Sequence, residues 1–153
     1  MNAKNEVTIL IADDDDGHAI LIQEQLEDAG LNNPVKRFCD GQEVWDFLTS
    51  PDMRADATHA YLLLLDIRMP KMDGVTVLRY IKADPELQTL PVIMLTTTDD
   101  PREVAACYAL GCNSYITKPV DFDDFSEVIK RLGLFISIMA VAPARARLEM
   151  LQP

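Results

Sequence analysis

Apolar runs and amphipathic stretches alternate along most of the chain. Val7 to Ala12, Val35 to Phe38, Tyr61 to Leu65, Val92 to Leu95 and Tyr115 to Thr117 are short runs that read as strands. Between them apolar residues recur at helical spacing. Ala19, Ile22, Leu26 and Ala29 form one such face, stopped by Gly30. Asp40, with Glu43 three residues on, resembles a capping box that opens a helix through Val44, Phe47 and Leu48. Val75, Leu78 and Ile81 line a helix that ends near Asp84-Pro85. Asp100, Pro101 and Glu103 supply the start of a fourth helix, and Gly111 its close. The fifth carries Phe122, Phe125, Val128, Ile129, Leu132, Phe135 and Ile136 on one face. Ser50 to Thr58 reads as a polar loop.

Strands apolar on both faces, alternating with helices, predict an α/β fold: a parallel sheet covered by helices on each side. Right-handed crossovers bring all strand ends to one edge, and ligands of open α/β sheets bind there. The residues that follow the strands therefore matter most. The first strand runs into Asp13, Asp14, Asp15 and Asp16, the third into Asp66, the fourth into Thr96, Thr97 and Thr98, and the fifth into Lys118-Pro119. Two carboxylates about 4 Å apart repel by roughly 4 kcal/mol at an effective dielectric near 20. Such a cluster persists only with a cation or with raised pKa values. Oxygen ligands with water access suit Mg²⁺. Asp66 then becomes a nucleophile beside a metal, with Lys118 and Thr96 to hold arriving oxygens, an arrangement fit for phosphoryl transfer.

Composition narrows the setting. A chain of 153 residues, 48% hydrophobic, can close one core without staples. Cys39, Cys107 and Cys112 have no metal-ligand spacing and read as reduced thiols of a cytoplasmic protein. No signal-peptide core and no apolar stretch of membrane-spanning length is present in the sequence. The net charge of −11 argues against a nucleic-acid face and favours a basic protein partner or a cation. The acidic run is not an EF-hand loop, since Gly17 as the sixth position puts Ala12 where the first ligand belongs. Asp16 is expected to be only an acidic residue at a helix start. His18 and His59 are expected to be isolated surface residues.

Four motifs in order, ILIADDD, LLLLDIRMPKMDG, VIMLTTT and YITKP, resemble the receiver domains of two-component response regulators over about residues 7 to 137. The resemblance implies a flavodoxin-like (βα)5 three-layer sandwich with a five-stranded parallel sheet of order 2-1-3-4-5. It implies that Asp66 accepts a phosphoryl group from a sensor histidine kinase, and that the protein is a signalling switch rather than an enzyme acting on other molecules. Asp14 would bind Mg²⁺ directly, Asp13 through water, with Asp66 and the backbone carbonyl of Arg68 as further ligands. Thr96 would hydrogen-bond the phosphoryl group and Lys118 would pair with it. Tyr115 would reorient on activation, and a cis peptide bond would precede Pro119. The four consecutive aspartates leave the acidic pair's register open by one; turning Ala19 and Ile22 inward favours Asp13 and Asp14. Thr97 departs from the family, which usually has a smaller residue there.

GHAILIQEQLEDAG, FCDGQEVWDFL and the long Ser50 to Thr58 loop further resemble single-domain regulators that serve phytochrome-type kinases. A receiver domain over 1–138 and a tail over 139–153 without an output domain are expected, with no membrane or nucleic-acid partner. The apolar stripe continuing through Leu134, Phe135, Ile138 and Met139 exceeds the needs of one core. That excess suits a dimer surface, and the receiver reading places a homodimer on the fourth helix, fifth strand and fifth helix. Two other readings stay open. Asp14-Asp15-Asp16-Gly17 mimics the first motif of haloacid-dehalogenase-type phosphatases, with Asp14 as nucleophile, and a pseudo-receiver would bind partners without phosphorylation.

Overall fold

The computed structural model describes residues 7–55 and 59–138. Its strands are β1 (Val7–Ala12), β2 (Val35–Phe38), β3 (Ala60–Leu65), β4 (Val92–Thr96) and β5 (Ser114–Thr117). All pairings are parallel and the sheet order is β2-β1-β3-β4-β5. Helices α1 (Asp16–Asp28) and α6 (Phe122–Ile138) cover one face, while α2 (Gly41–Leu48), α4 (Gly74–Ala83) and α5 (Pro101–Leu110) cover the other. This is the covered parallel sheet expected from the alternation, in the flavodoxin-like order implied by the resemblance.

The two-residue period of a strand explains the two cores. In β1, Leu10 and Ala12 point into the α2–α4–α5 layer and Ile9 and Ile11 into the α1–α6 layer. In β3, Leu63 and Leu65 join the first group, Leu62 and Leu64 the second. Every residue of β1 is buried, so its apolar run serves both layers at once.

Caps fix where helices begin. Asp15, Asp40, Asp73 and Asp100 are N-caps whose side chains accept backbone N–H groups of the first turns. At α2 the Asp40 carboxylate takes the Glu43 N–H at 2.8 Å, and Glu43 Oε1 takes the Cys39 N–H at 2.9 Å. Gly111 closes α5 in the left-handed region at φ 102°.

Two expectations need correction, and a third, the excess of the α6 stripe over the core, is borne out. The polar segment after α2 contains a sixth helix, the short α3 (Pro51–Ala55). Ser50 starts it by accepting the Met53 N–H on its hydroxyl, with Pro51 next in line, and Arg54 ties it to Asp84 at 2.7 Å and Glu86 at 3.1 Å. On α6, Phe125, Ile129, Leu132 and Ile136 are buried, but Phe122 and Phe135 are exposed. The stripe is wider than the core it meets. Finally, no cis peptide bond occurs among the described residues, so the bond before Pro119 is trans. An X–Pro bond prefers trans by about 0.5–1 kcal/mol, and Lys118 reaches its carboxylate partners without the cis form. Met139 and the expected tail over 139–153 lie outside the described residues.

Candidate functional site at the carboxyl edge of the sheet

Register sets the site. Ala12 of β1 lies opposite Leu65 of β3, so Asp13 and Asp66 each follow their strand by one residue. The Asp66 N–H donates to the Ala12 carbonyl at 3.0 Å, which holds the two strand ends together. On the other side, the Lys118 N–H donates to the Thr96 carbonyl at 2.6 Å. The predicted residues Asp13, Asp14, Asp66, Thr96 and Lys118 thus leave adjacent strands at one edge.

Carboxylate oxygens of Asp13, Asp14 and Asp66 lie within 4.8 Å of one another. Asp13 and Asp66 are buried and Asp14 is exposed, giving a cluster that opens to water on one side. Lys118 Nζ, 1% exposed as a side chain, sits 2.5 Å from Asp13 Oδ2 and 3.4 Å from Asp66 Oδ2. Three carboxylates therefore face one ammonium. Burial pushes the Asp13 carboxyl above its ordinary range, and the neighbouring Lys118 charge only partly offsets this. The site favours added positive charge.

The Asp66 side chain is itself held. Asp66 Oδ1 accepts the Ile67 N–H at 2.7 Å, which leaves Oδ2 turned towards Lys118. The loop that follows depends on Gly74. Its N–H donates to the Ile67 carbonyl at 2.8 Å, and a β-carbon there would lie 2.0 Å from the Asp66 carbonyl oxygen. Only glycine allows this approach. Thr96 Oγ1 is buried with no hydrogen-bond partner among the described residues. A buried hydroxyl left unpaired beside Asp66's strand is a donor awaiting an oxygen.

Tyr115 stands apart from the acids. Its hydroxyl donates to the Thr98 carbonyl at 2.7 Å, and burial raises its pKa to about 12. Thr98 Oγ1 in turn donates to Glu103 Oε2 at 2.6 Å, and Arg68 pairs with Glu103 at 3.1 Å. Thr98, read from sequence as an ordinary loop hydroxyl, belongs to a chain of contacts from β5 to the loop after Asp66.

Two further residues escaped the sequence reading. Arg37 of β2 donates to the Asp13 carbonyl through Nε at 3.1 Å and Nη2 at 2.8 Å, and through Nη1 to Asp16 at 2.6 Å. Asp16 is thus both a first-turn acid and half of an ion pair. His18 is not an isolated surface residue: its Nδ1 is 3.1 Å from Lys118 Nζ and its ring meets Phe125 edge-on at 5.1 Å. A polar residue in a strand, for Arg37, and a position one helical turn after Asp14, for His18, were the available signals.

A model of the family described as "Response regulator receiver domain" matches residues 9–130. The chain belongs to that family. It is 44% identical to a response regulator receiver domain from Rhodospirillum rubrum whose crystal structure superposes with a TM-score of 0.85, covering 89% of this chain and 97% of that one. Response regulator Rcp1 of Synechocystis is 31% identical over 136 residues, 89% of this chain and 92% of Rcp1. The Mn²⁺-bound form of Rcp1 superposes with a TM-score of 0.79 at 29% identity, over 89% of this chain and 98% of that one. RcpA, a cyanobacterial phytochrome response regulator solved in its phosphorylated form, gives 0.80 at 31% identity, over 89% and 98%. Receiver membership leaves the phosphatase reading without support. It also accounts for the acids: a divalent cation is bound in Rcp1, and the Asp13–Asp14–Asp66 cluster has the oxygen donors a hard cation takes.

Proposed function

We propose that this response regulator accepts a phosphoryl group on Asp66 from the phosphohistidine of a sensor histidine kinase. The observation that carries the proposal is Asp66 Oδ2, buried beside Lys118 and within a three-carboxylate cluster. In the reaction an Asp66 carboxylate oxygen attacks phosphorus, the P–N bond breaks, and the imidazole nitrogen leaves with the electron pair. The phosphohistidine ring reacts protonated on its other nitrogen, so the products are an acyl phosphate and a neutral histidine.

The chain's own residues divide the work. Lys118 places its ammonium where negative charge accumulates on the phosphoryl oxygens. Thr96 offers its unpaired hydroxyl to one of them. Asp13, Asp14, Asp66 and the Arg68 carbonyl would hold Mg²⁺, which when bound neutralises phosphoryl charge and helps align the reacting oxygens. Three carboxylates against one ammonium support this, as does the Mn²⁺ form of Rcp1.

Switching would follow from the Thr96 to Thr98 segment, which leads from the acceptor to the Tyr115 hydroxyl. Thr96 and Tyr115 move with the phosphoryl group, and the altered surface is that of α5, β5 and α6, a homodimer face. Exposed Tyr108, Leu134 and Phe135 support an apolar contact on these helices. RcpA's attachment to phytochrome signalling supports a phytochrome-type kinase as partner. Exposed Ile20 and Val120, each two residues from His18 or Lys118, give such a partner apolar footing beside the mouth. The net charge of −11 supports a protein rather than a nucleic acid as target, and no described helix is long and apolar enough to cross a membrane. The protein is assigned to the cytoplasm as a receiver domain.

The test is phosphoryl transfer from autophosphorylated, radiolabelled phytochrome-type kinases. Label passes to the wild-type protein and not to Asp66→Asn. Equal labelling of both proteins would defeat the assignment.

A further inference from the structure

The four consecutive aspartates are held in four different ways. Asp13 Oδ2 faces Lys118, and Asp13 Oδ1 accepts the Asp15 N–H at 2.9 Å. Asp15 caps α1 by accepting the His18 N–H, and Asp16 pairs with Arg37 at 2.6 Å. Asp14 has its carboxylate in the cluster with Asp13 and Asp66. One side chain from β2 grips both ends of this run. Arg37 donates Nε and Nη2 to the Asp13 carbonyl at 3.1 and 2.8 Å, and Nη1 to Asp16 Oδ1 at 2.6 Å. Resting on the reading of the acids as a cation site, we infer that Arg37 is a positioning residue for that site. It clamps the turn over residues 13–16 so that Asp13 and Asp14, and not Asp16, face the cation.

Charge alone does not explain this guanidinium. Its ion pair is with Asp16, the first residue of α1, and a helix N-terminus favours anions over cations. Bound to the backbone of one of the acids, it also repels any cation that they hold. Geometry explains it better. The Asp13 carbonyl receives two donors from a planar fork, which a guanidinium has and an ammonium lacks. The Asp13 N–H donates to the Phe38 carbonyl at 3.0 Å, so both backbone polar groups of Asp13 are tied to β2. The third arm holds Asp16, whose side chain is 81% exposed and would otherwise be a free carboxylate three residues on. With both ends of the turn fixed, Asp14 is kept directed at the cluster although it is itself exposed.

The test titrates Mg²⁺ alone into the protein, with no phosphodonor, and reads affinity by isothermal titration. Charge and clamp predict opposite signs. Arg37→Met removes a positive charge and leaves Asp16 unpaired, so electrostatics by itself would tighten Mg²⁺ binding. Loss of the clamp is expected to weaken it about tenfold, the scale on which groups behind metal ligands act. Arg37→Lys keeps the charge but has no fork, and is expected to bind Mg²⁺ more weakly than wild type as well. Both variants are compared well below their melting temperatures, where circular dichroism should show the wild-type fold. Unchanged or tighter binding by Arg37→Met overturns the inference, as does wild-type affinity in Arg37→Lys; either result leaves the acids as cation ligands. Failure of the wild-type protein to bind Mg²⁺, or full binding by an Asp14→Ala control, overturns the cation reading as well.

Discussion

The two edges of the sheet are built from the same five strands and differ in what they leave unpaired. At the edge where the strands begin, Leu62, Pro91, Ile93, Ile116, Leu132 and Phe135 line an apolar cavity of about 590 Å³. Beside it Asn113 Oδ1 accepts the Val92 N–H at 2.9 Å, and the Asn113 N–H donates to the Val92 carbonyl at 2.8 Å. At the opposite edge three carboxylates meet one ammonium, and a buried threonine hydroxyl has no partner among the described residues. An unpaired buried polar group costs about 1–3 kcal/mol. The acidic edge carries that cost, and its three carboxylates against one buried ammonium set it apart from the apolar cavity opposite.

Substitutions that damage the working edge should cost most where backbone is involved. Gly74→Ala drives a β-carbon to 2.0 Å from the Asp66 carbonyl, so we expect a loss of about 3 kcal/mol and a Tm lower by about 6–12 °C. Thermal unfolding checks this; an unchanged Tm would mean that the Asp66 loop moves freely. Next in size is the cation. Mg²⁺ at a hundred times its Kd should stabilise the protein by about 2.7 kcal/mol, and Asp14→Ala should remove most of that gain. Since Asp14 is exposed, the variant's own Tm without metal should hardly change.

Smaller effects sharpen the comparison by separating the acids from their supports. Arg37→Ala removes two donors from the Asp13 carbonyl and one from Asp16, and about 1–2 kcal/mol of stability is expected to go with them. It should also weaken the Mg²⁺-induced rise in Tm. Wild-type metal response in that variant would make Arg37 a structural residue only. Tyr115→Phe should cost about 1 kcal/mol near neutral pH through the lost bond to Thr98. The Tyr115 pKa is raised to about 12 from an ordinary 10, so its stabilisation is complete below pH 10 and is lost as pH rises towards 12. Denaturant unfolding at pH 8 and at pH 11.5 should show the wild-type advantage over Tyr115→Phe shrinking at the higher pH.

The strand ends were readable because each acid, hydroxyl or lysine of the mouth directly follows an apolar run. The parallel topology then does the gathering without help from side chains. Lateral supports were harder to see. Arg37 and His18 act through side-chain direction across a strand gap and a helix turn, and residue order alone does not fix that direction. Helix α3 was missed although Ser50 and Pro51 carry a start signal, because five residues are too few to show a helical period. The exposed Phe122 and Phe135 mark the limit of the apolar-stripe argument: helical spacing says which residues share a face, and the neighbour decides how much of it is covered. The trans bond before Pro119 departs from an implication of family likeness, not from a reading of the residues.

The most direct measurement is mass spectrometry of the intact protein and its peptides after acetyl phosphate and Mg²⁺. A single added phosphoryl group on the peptide containing Asp66 is expected, absent when Mg²⁺ is chelated. Phosphate on Asp14, or none on a folded protein that binds the cation, would contradict the account.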